Sequence, residues 1–196
     1  MKKYELAIFD FDDTIGHLTV KWTDVKKEIL KYAKNNGIRN EPKEHIIPLA
    51  NRISETPEGK EFVVNTFRKY EKECTKNKTW LMFPSMILLL YDLKKSEHKL
   101  AIATGNNTKT IHEIIKAERL GQLFDFIVGM DSTKFTKPDP SPLNLILEKL
   151  NIKKENAIFI GNSEYDKLAG KNAGINTIII RTLWEDDVYE LRKKLL

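Results

Sequence analysis

Residues 4–14 read YELAIFDFDDT, a short apolar run that ends abruptly in acidic residues. The run from Tyr4 to Asp10 is rich in β-prone side chains and predicts a first strand. Four similar runs predict four more strands, over residues 99–104, 126–130, 157–161 and 177–181. Helical periodicity lies between the later runs, over residues 108–119 and 140–150. Strands that alternate with helices predict right-handed crossovers and a mostly parallel sheet covered on both faces.

The interval between the first two predicted strands exceeds eighty residues, which is far more than a simple crossover needs. Amphipathic periodicity predicts three helices within it, over residues 24–36, 42–53 and 58–76. A further helix over residues 84–95 is expected to return the chain to the sheet. The sequence therefore predicts an α/β fold class with a helical insertion, formed by residues 15–85, after the first strand.

The composition is that of an ordinary globular chain, since 41% of the 196 residues are hydrophobic and 31% are charged. No stretch approaches the roughly 20 apolar residues of a membrane-spanning helix, so no membrane association is expected. The apolar run near the amino terminus is too short for a signal peptide. The lone Cys74 cannot form an intramolecular disulfide. These features favour a cytoplasmic location.

The net charge of +5 is concentrated in the insertion. Residues 15–85 contain 14 Lys or Arg against 9 Asp or Glu, whereas the rest of the chain contains 19 against 19. Basic and acidic residues alternate there, which is typical of a solvated helix face. No aromatic-rich groove pattern or zinc spacing accompanies the charge, so nucleic acid is disfavoured as a partner and a small anionic molecule is favoured.

Polar residues follow four of the predicted strands, where an open parallel sheet binds its ligands. Asp10 and Asp12 follow the first strand, and such a pair can supply a nucleophile and a proton donor for phosphoryl transfer. Crowded carboxylates also attract a hard divalent cation such as Mg²⁺. An acidic turn or a structural ion site is the alternative interpretation of these two residues alone.

The other three strand ends carry complementary groups. Thr104, Gly105 and Asn106 follow the second strand and can hold phosphate oxygens through a hydroxyl and backbone amides. Lys137 lies in a Pro-rich loop from which its ammonium can neutralise a carboxylate and a phosphoryl group. The segment from Asn162 to Asp166 can complete a metal shell, or it can simply cap a helix. Each signal is weak alone, but four at successive strand ends favour one phosphate and metal site.

These motifs resemble those of the haloacid dehalogenase superfamily of phosphatases. The pattern Asp-x-Asp-x-Thr matches residues 10–14, a strand that ends in Thr matches Thr104, and a Lys-Pro pair before a helix matches Lys137 and Pro138. The resemblance implies a Rossmann-like core, formed by residues 1–14 and 86–196, with an inserted small α-helical cap domain at residues 15–85. The insertion resembles the helical caps of phosphoglycolate phosphatase and β-phosphoglucomutase relatives.

The resemblance also implies residue roles. Asp10 would be the nucleophile and a Mg²⁺ ligand, and Asp12 the general acid and base that also offers its backbone carbonyl to the metal. Thr104 and Lys137 would stabilise the phosphoryl group. The site would then be catalytic at Asp10, Asp12, Thr104 and Lys137, would bind phosphate through Thr104, Gly105, Asn106 and Lys137, and would hold metal through Asp10, Asp12, Asn162 and Asp166.

The sequence departs from the superfamily at two positions. Asp13 stands where the first motif usually has Gly, and Asn162 stands where the fourth motif usually has Asp. Exchange of that acid for Asn keeps an oxygen ligand but removes a charge from the metal shell.

The principal hypothesis is a magnesium-dependent phosphatase acting on a small phosphorylated metabolite, with a mutase possible on the same scaffold. One alternative is a catalytically weak binding or regulatory protein in which Asn162 has reduced metal affinity. Another is a nucleic-acid end phosphatase, suggested by the basic insertion. Lys21, Trp22 and Arg52 are candidate substrate contacts in the insertion.

Overall fold

The computed structural model of the chain describes residues 3–41, 44–180 and 185–196, with the backbone alone at 185 and 186. Seven strands are present in these ranges: β1 (Leu6–Phe9), β2 (Gly16–Leu18), β3 (Trp80–Met82), β4 (Lys99–Ala103), β5 (Phe126–Val128), β6 (Ala157–Gly161) and β7 (Asn176–Ile179). Five of them form one sheet in the order β5-β4-β1-β6-β7, and every pairing in it is parallel. The predicted α/β class and parallel sheet are confirmed.

The described helices, apart from two short 3-10 turns, are α1 (Trp22–Asn35), α2 (Ile46–Ile53), α3 (Pro57–Asn77), α4 (Pro84–Lys95), α5 (Thr108–Ala117), α6 (Ser141–Leu150), α7 (Glu164–Ala173) and α8 (Glu185–Leu195). Those predicted from periodicity lie within a few residues of their expected bounds. The predicted helix over 42–53 starts on Pro42 and Lys43, which lie outside the described residues, as does Arg181 at the end of the predicted strand over 177–181.

Strand β1 occupies the centre of the sheet because its whole length is apolar. Each of its four residues is fully buried, as expected for a strand with helices on both faces. Phe9, its last residue, is in register with Ile102 on β4 and Ile160 on β6. The residues that follow these three strands therefore meet at the same edge of the sheet.

A short antiparallel ribbon of β2 and β3 links the sheet to the helical insertion, and the sequence did not predict it. Gly16 begins β2 at a place where a Cβ would lie 2.6 Å from the carbonyl oxygen of Leu81. Three-residue strands carry little periodic signal, which is why the ribbon was missed. Helices α1, α2 and α3 lie between its two strands in the chain.

The insertion packs onto the sheet domain through a shared apolar cluster. Ile29, Ile53 and Phe67 from the insertion belong to the same buried cluster as Met86 and Leu90 from α4. No helix in the described part of the chain is both long and apolar enough to cross a bilayer.

Candidate active site

A buried ion network forms where β1 and β6 end. The Lys137 ammonium lies 2.6 Å from Asp10 Oδ1 and 2.5 Å from Asp166 Oδ1. All three side chains are at least nine-tenths buried. Asp10 follows the central strand and its backbone N–H donates to the carbonyl of Ile160 on β6, which fixes the first turn beyond the sheet.

The electrostatics of this network follow from burial and charge. Burial raises the pKa of the Asp10 carboxyl to about 7, although the Lys137 charge acts in the opposite direction. Burial lowers the pKa of the Lys137 ammonium, but the charges of Asp10 and Asp166 outweigh it and the net shift is upward. For Asp166, burial is outweighed by Lys137 and Ser163, so its pKa falls. The network therefore holds a charged lysine between two carboxylates.

Asp166 lies in the first turn of helix α7 and is held in place by hydrogen bonds from residues at the start of that helix. Ser163 caps this helix, and a capping box links it reciprocally to Asp166. Asp166 Oδ2 accepts hydrogen bonds from Ser163 Oγ (2.5 Å), Ser163 N (2.9 Å) and Asn162 N (3.2 Å). A Cβ on Gly161 would lie 2.5 Å from the Asp166 side chain, so this turn requires glycine. Asp166 thus positions Lys137, and the helix-cap interpretation of this segment is correct as well.

Asp12 is oriented by two donors on different elements. Its Oδ1 accepts from the backbone N–H of Leu18 at 2.9 Å, and its Oδ2 accepts from Asn106 Nδ2 at 2.5 Å. Burial raises the pKa of Asp12, while these hydrogen bonds oppose the shift. Asn106 Nδ2 also lies 3.2 Å from Thr104 Oγ1. Asn106 therefore couples the loop after β4 to the general acid predicted from the sequence.

Asp13 adopts the left-handed conformation, with a φ of 54°. Gly is favoured in that region and Asp tolerates it better than most residues. The Asp13 side chain accepts from His17 Nδ1 at 2.9 Å, and its N–H donates to the carbonyl of Gly16. The superfamily motif that this segment resembles usually has Gly at this position. Asp can replace Gly here because it also adopts the left-handed conformation.

The helical insertion contacts two loops of the site through polar side chains, one half-buried and one buried. Asn51 on α2 makes two hydrogen bonds with the backbone of Thr136, next to Lys137: its Nδ2 donates at 3.0 Å and its Oδ1 accepts at 3.1 Å. Glu71 on α3 is fully buried. It accepts from Asn107 N, Asn107 Nδ2 and Thr110 Oγ1 at 2.6–3.2 Å. The loops that follow β4 and β5 are therefore held by the cap.

A cavity of about 190 Å³ opens above the ion network. Its core side is lined by Asp10, Asp12, Asp13, Thr104, Gly105, Thr136, Lys137, Asn162, Ser163 and Tyr165, and its cap side by Trp22, Ile47 and Phe67. Six of the eight sequence-predicted site residues thus share one cavity. Asn106 and Asp166 lie behind it, where they hold Asp12 and Lys137.

Of the three candidate substrate contacts in the insertion, Trp22 alone lines this cavity. Arg52 instead pairs with Glu44 and donates to the carbonyl of Arg39. Lys21 lines a different cavity, between α3 and the start of α1.

Sequence reasoning missed Asn51, Thr136 and Glu71. A signal for Glu71 existed, because it continues the buried stripe of α3 that runs through Val63, Phe67 and Cys74. An acidic residue in such a stripe requires buried donors. Asn51 carries no comparable signal.

Magnesium would suit the donor set in this cavity. Asp10, Asp12 and Asn162 bring oxygen ligands to the core side of the cavity, and the carboxylates of Asp10 and Asp166 both contact the Lys137 ammonium. Both oxygens of Asp166 already accept hydrogen bonds from protein groups, so its predicted role as a ligand would require their exchange. No group of three or more His, Cys, Asp or Glu side chains in the described ranges converges on a metal position.

A buried carboxylate beside a lysine, at the carboxyl edge of a parallel sheet and next to a helical insertion, is an arrangement typical of an α/β enzyme. The haloacid dehalogenase-like hydrolase family profile matches residues 7–180. The chain belongs to this family, and the predicted superfamily and hydrolase class are confirmed.

Known relatives agree with this placement. The chain is 39% identical to pyrophosphatase PpaX of Bacillus velezensis over 88 residues, which cover 45% of this chain and 41% of that protein. The chain thus spans less than half the length of that curated relative. A relative from Caldanaerobacter subterraneus, provisionally named pyrophosphatase PpaX, is 27% identical over 197 residues. The match covers 98% of this chain and 87% of that protein.

Solved structures show the same fold. CbbY from Rhodobacter sphaeroides, solved in complex with phosphate, has a TM-score of 0.63 at 19% identity, covering 90% of this chain and 85% of that one. A HAD-superfamily hydrolase from Geobacter sulfurreducens has a TM-score of 0.62 at 17% identity, with 97% of each chain covered.

Proposed function

We propose that the chain is a Mg²⁺-dependent phosphatase that hydrolyses a small phosphorylated metabolite through an aspartyl-phosphate on Asp10. The observation that carries the proposal is the buried Asp10 carboxylate, 2.6 Å from the Lys137 ammonium, in a cavity that Asp12 and Thr104 also line. The phosphatase-type names of the relatives and the phosphate bound by CbbY support it.

In the first step, a carboxylate oxygen of Asp10 attacks phosphorus, an O–P bond forms, and the bond to the leaving oxygen breaks. Asp12, held by Leu18 and Asn106, gives its proton to that leaving oxygen. In the second step, Asp12 takes a proton from water, the water oxygen attacks phosphorus, and phosphate leaves as the Asp10 carboxylate is restored.

Lys137 and the Thr104 hydroxyl stabilise charge on the phosphoryl oxygens, because both line the cavity beside Asp10. Oxygens of Asp10, Asp12 and Asn162 would hold Mg²⁺, which when bound supplies charge neutralisation and orientation of the phosphoryl group. The single buried Cys74 suits a reducing compartment, and a cytoplasmic location is part of the proposal.

The test is phosphate release by the purified chain with Mg²⁺, measured on an aryl phosphate and a panel of phosphorylated metabolites. Asp10→Asn is expected to lower turnover to background while its circular dichroism and unfolding midpoint stay close to those of the parent. Absence of release from every compound, or unchanged turnover in Asp10→Asn, would remove the proposal.

A further inference from the structure

The cap side of the cavity is entirely apolar. It consists of Trp22 from α1, Ile47 from α2 and Phe67 from α3. The Trp22 and Phe67 rings form a tilted pair with centroids 5.7 Å apart and planes at 60°. The reacting phosphoryl group belongs beside Asp10 on the core side, so the part of a substrate that leaves would face this apolar wall.

The side chains of the cavity provide no spare positive charge for an anionic leaving group, and the residues that would hold Mg²⁺ lie on the core side with the phosphoryl group. Of the lining residues in the described part of the chain, Lys137 alone is cationic. Its ammonium already contacts Asp10 and Asp166. Asp12 and Asp13 add further negative charge to the lining.

The described basic residues of the insertion add no positive charge to the lining of the cavity. Arg52 pairs with Glu44, and the Lys60 ammonium donates to the carbonyl of Met130 at 2.5 Å. Neither lines the cavity. No basic residue in the described part of the insertion lines the cavity.

We infer that the substrate is a phosphomonoester with a short, uncharged leaving group whose apolar or aromatic body packs against Trp22, Ile47 and Phe67. This inference rests on the proposed phosphatase function. A carboxylate or second phosphoryl group at this wall would be desolvated without a counter-charge, which is strongly unfavourable. The volume of about 190 Å³ is below the roughly 300 Å³ of pockets for drug-sized ligands, so the group is short.

The substrate class inferred for this chain differs from the pyrophosphate that the names of its relatives indicate. Pyrophosphate has an anionic phosphate as its leaving group, which the apolar wall disfavours. The chain is therefore expected to be a poor pyrophosphatase despite its likeness to PpaX proteins.

The test compares isobutyl phosphate, 2-phosphoglycolate and pyrophosphate by kcat/KM for phosphate release with Mg²⁺. The isobutyl and glycolyl groups have the same number and branching of heavy atoms and differ in charge. Isobutyl phosphate is expected to exceed 2-phosphoglycolate by at least about tenfold, since an unpaired buried charge costs more than a kcal/mol. Glycolate is the intrinsically better leaving group, so chemical reactivity works against the expected result.

Charge placed on the wall should reverse the preference. Trp22→Arg is expected to raise kcat/KM for 2-phosphoglycolate and to lower it for isobutyl phosphate, whereas Trp22→Leu should leave the order of the two unchanged. Leu88→Arg is the matched control. Leu88 is exposed on α4, so this substitution adds the same charge outside the cavity. It should behave like the parent.

The outcomes distinguish the inference from the function on which it rests. Asp10-dependent release that is as fast or faster with 2-phosphoglycolate or pyrophosphate would overturn the inference and leave the phosphatase intact. Absence of Asp10-dependent release from all three compounds and from phenyl phosphate would overturn both. A preference for isobutyl phosphate that Trp22→Arg reverses and Leu88→Arg does not would support it.

Discussion

Glu71 gives the fold a pH dependence that a single substitution should remove. Burial raises the pKa of this carboxyl from 4.5 to about 7, against the hydrogen bonds from Thr110 and Asn107. The charge of Asp12 raises the pKa further. The folded protein thus holds the Glu71 proton more tightly than the unfolded chain does.

Because the folded pKa is above the unfolded one, the stability that Glu71 contributes is fully present below about pH 4.5 and is lost as the pH rises through about 7. The full difference corresponds to about 3 kcal/mol. Between pH 5 and pH 8 the linkage relation gives a loss of about 2.5 kcal/mol. Glu71→Gln cannot titrate and should not show this loss.

The assay is urea unfolding of the parent and Glu71→Gln at several pH values between 5 and 8, with linear extrapolation to water. Asp10 and Asp12 titrate in both proteins, so the difference between the two curves isolates Glu71. Glu73→Gln, on an exposed position of the same helix, is the control and should follow the parent. Parallel curves for the parent and Glu71→Gln would refute the reasoning.

Three further substitutions have defined outcomes. Ser163→Ala removes the cap of α7 and one donor to Asp166, so the free energy of unfolding should fall by about 1 kcal/mol in urea titrations, with lower turnover as Lys137 loses its support. Asn51→Ala breaks both hydrogen bonds to Thr136 and should cost about 1–2 kcal/mol in the same assay; unchanged stability would show that the bridge is not formed. Asn162→Asp adds an anionic oxygen to the donor set and should tighten Mg²⁺ binding in calorimetry, a result that equal affinity would contradict.

Much of the sheet could be predicted from the sequence because each strand is a continuous apolar run that ends in polar residues. Leu6–Phe9 is such a run. Because the strand is completely buried, all four of its residues are apolar, and this pattern predicts the strand. The same logic located Asp10 and Thr104, which directly follow β1 and β4, and Lys137 in the loop after β5, since the residues after parallel strands meet at one edge. The ribbon of β2 and β3 lacked any comparable pattern.

The roles of individual side chains depended on tertiary contacts that the sequence does not encode locally. Asp166 is twenty-nine positions from Lys137, and their contact at 2.5 Å joins the loop between β5 and α6 to the first turn of α7. Asp166 contacts Lys137 from outside the cavity and does not line its wall. Asn106, predicted to bind phosphate, donates a hydrogen bond to Asp12 through its side-chain amide.

The burial of so much charge links catalysis to docking of the insertion. Two buried carboxylates contact one buried ammonium near the ends of β1 and β6, and such a group is stable only where surrounding contacts hold it in place. Asn51 and Glu71 supply contacts of this kind from the cap, one next to Lys137 and the other at the loop that carries Thr104. Undocking of the cap would therefore release both loops at once. If the proposed function is correct, docking of the insertion and assembly of the site are therefore expected to be coupled.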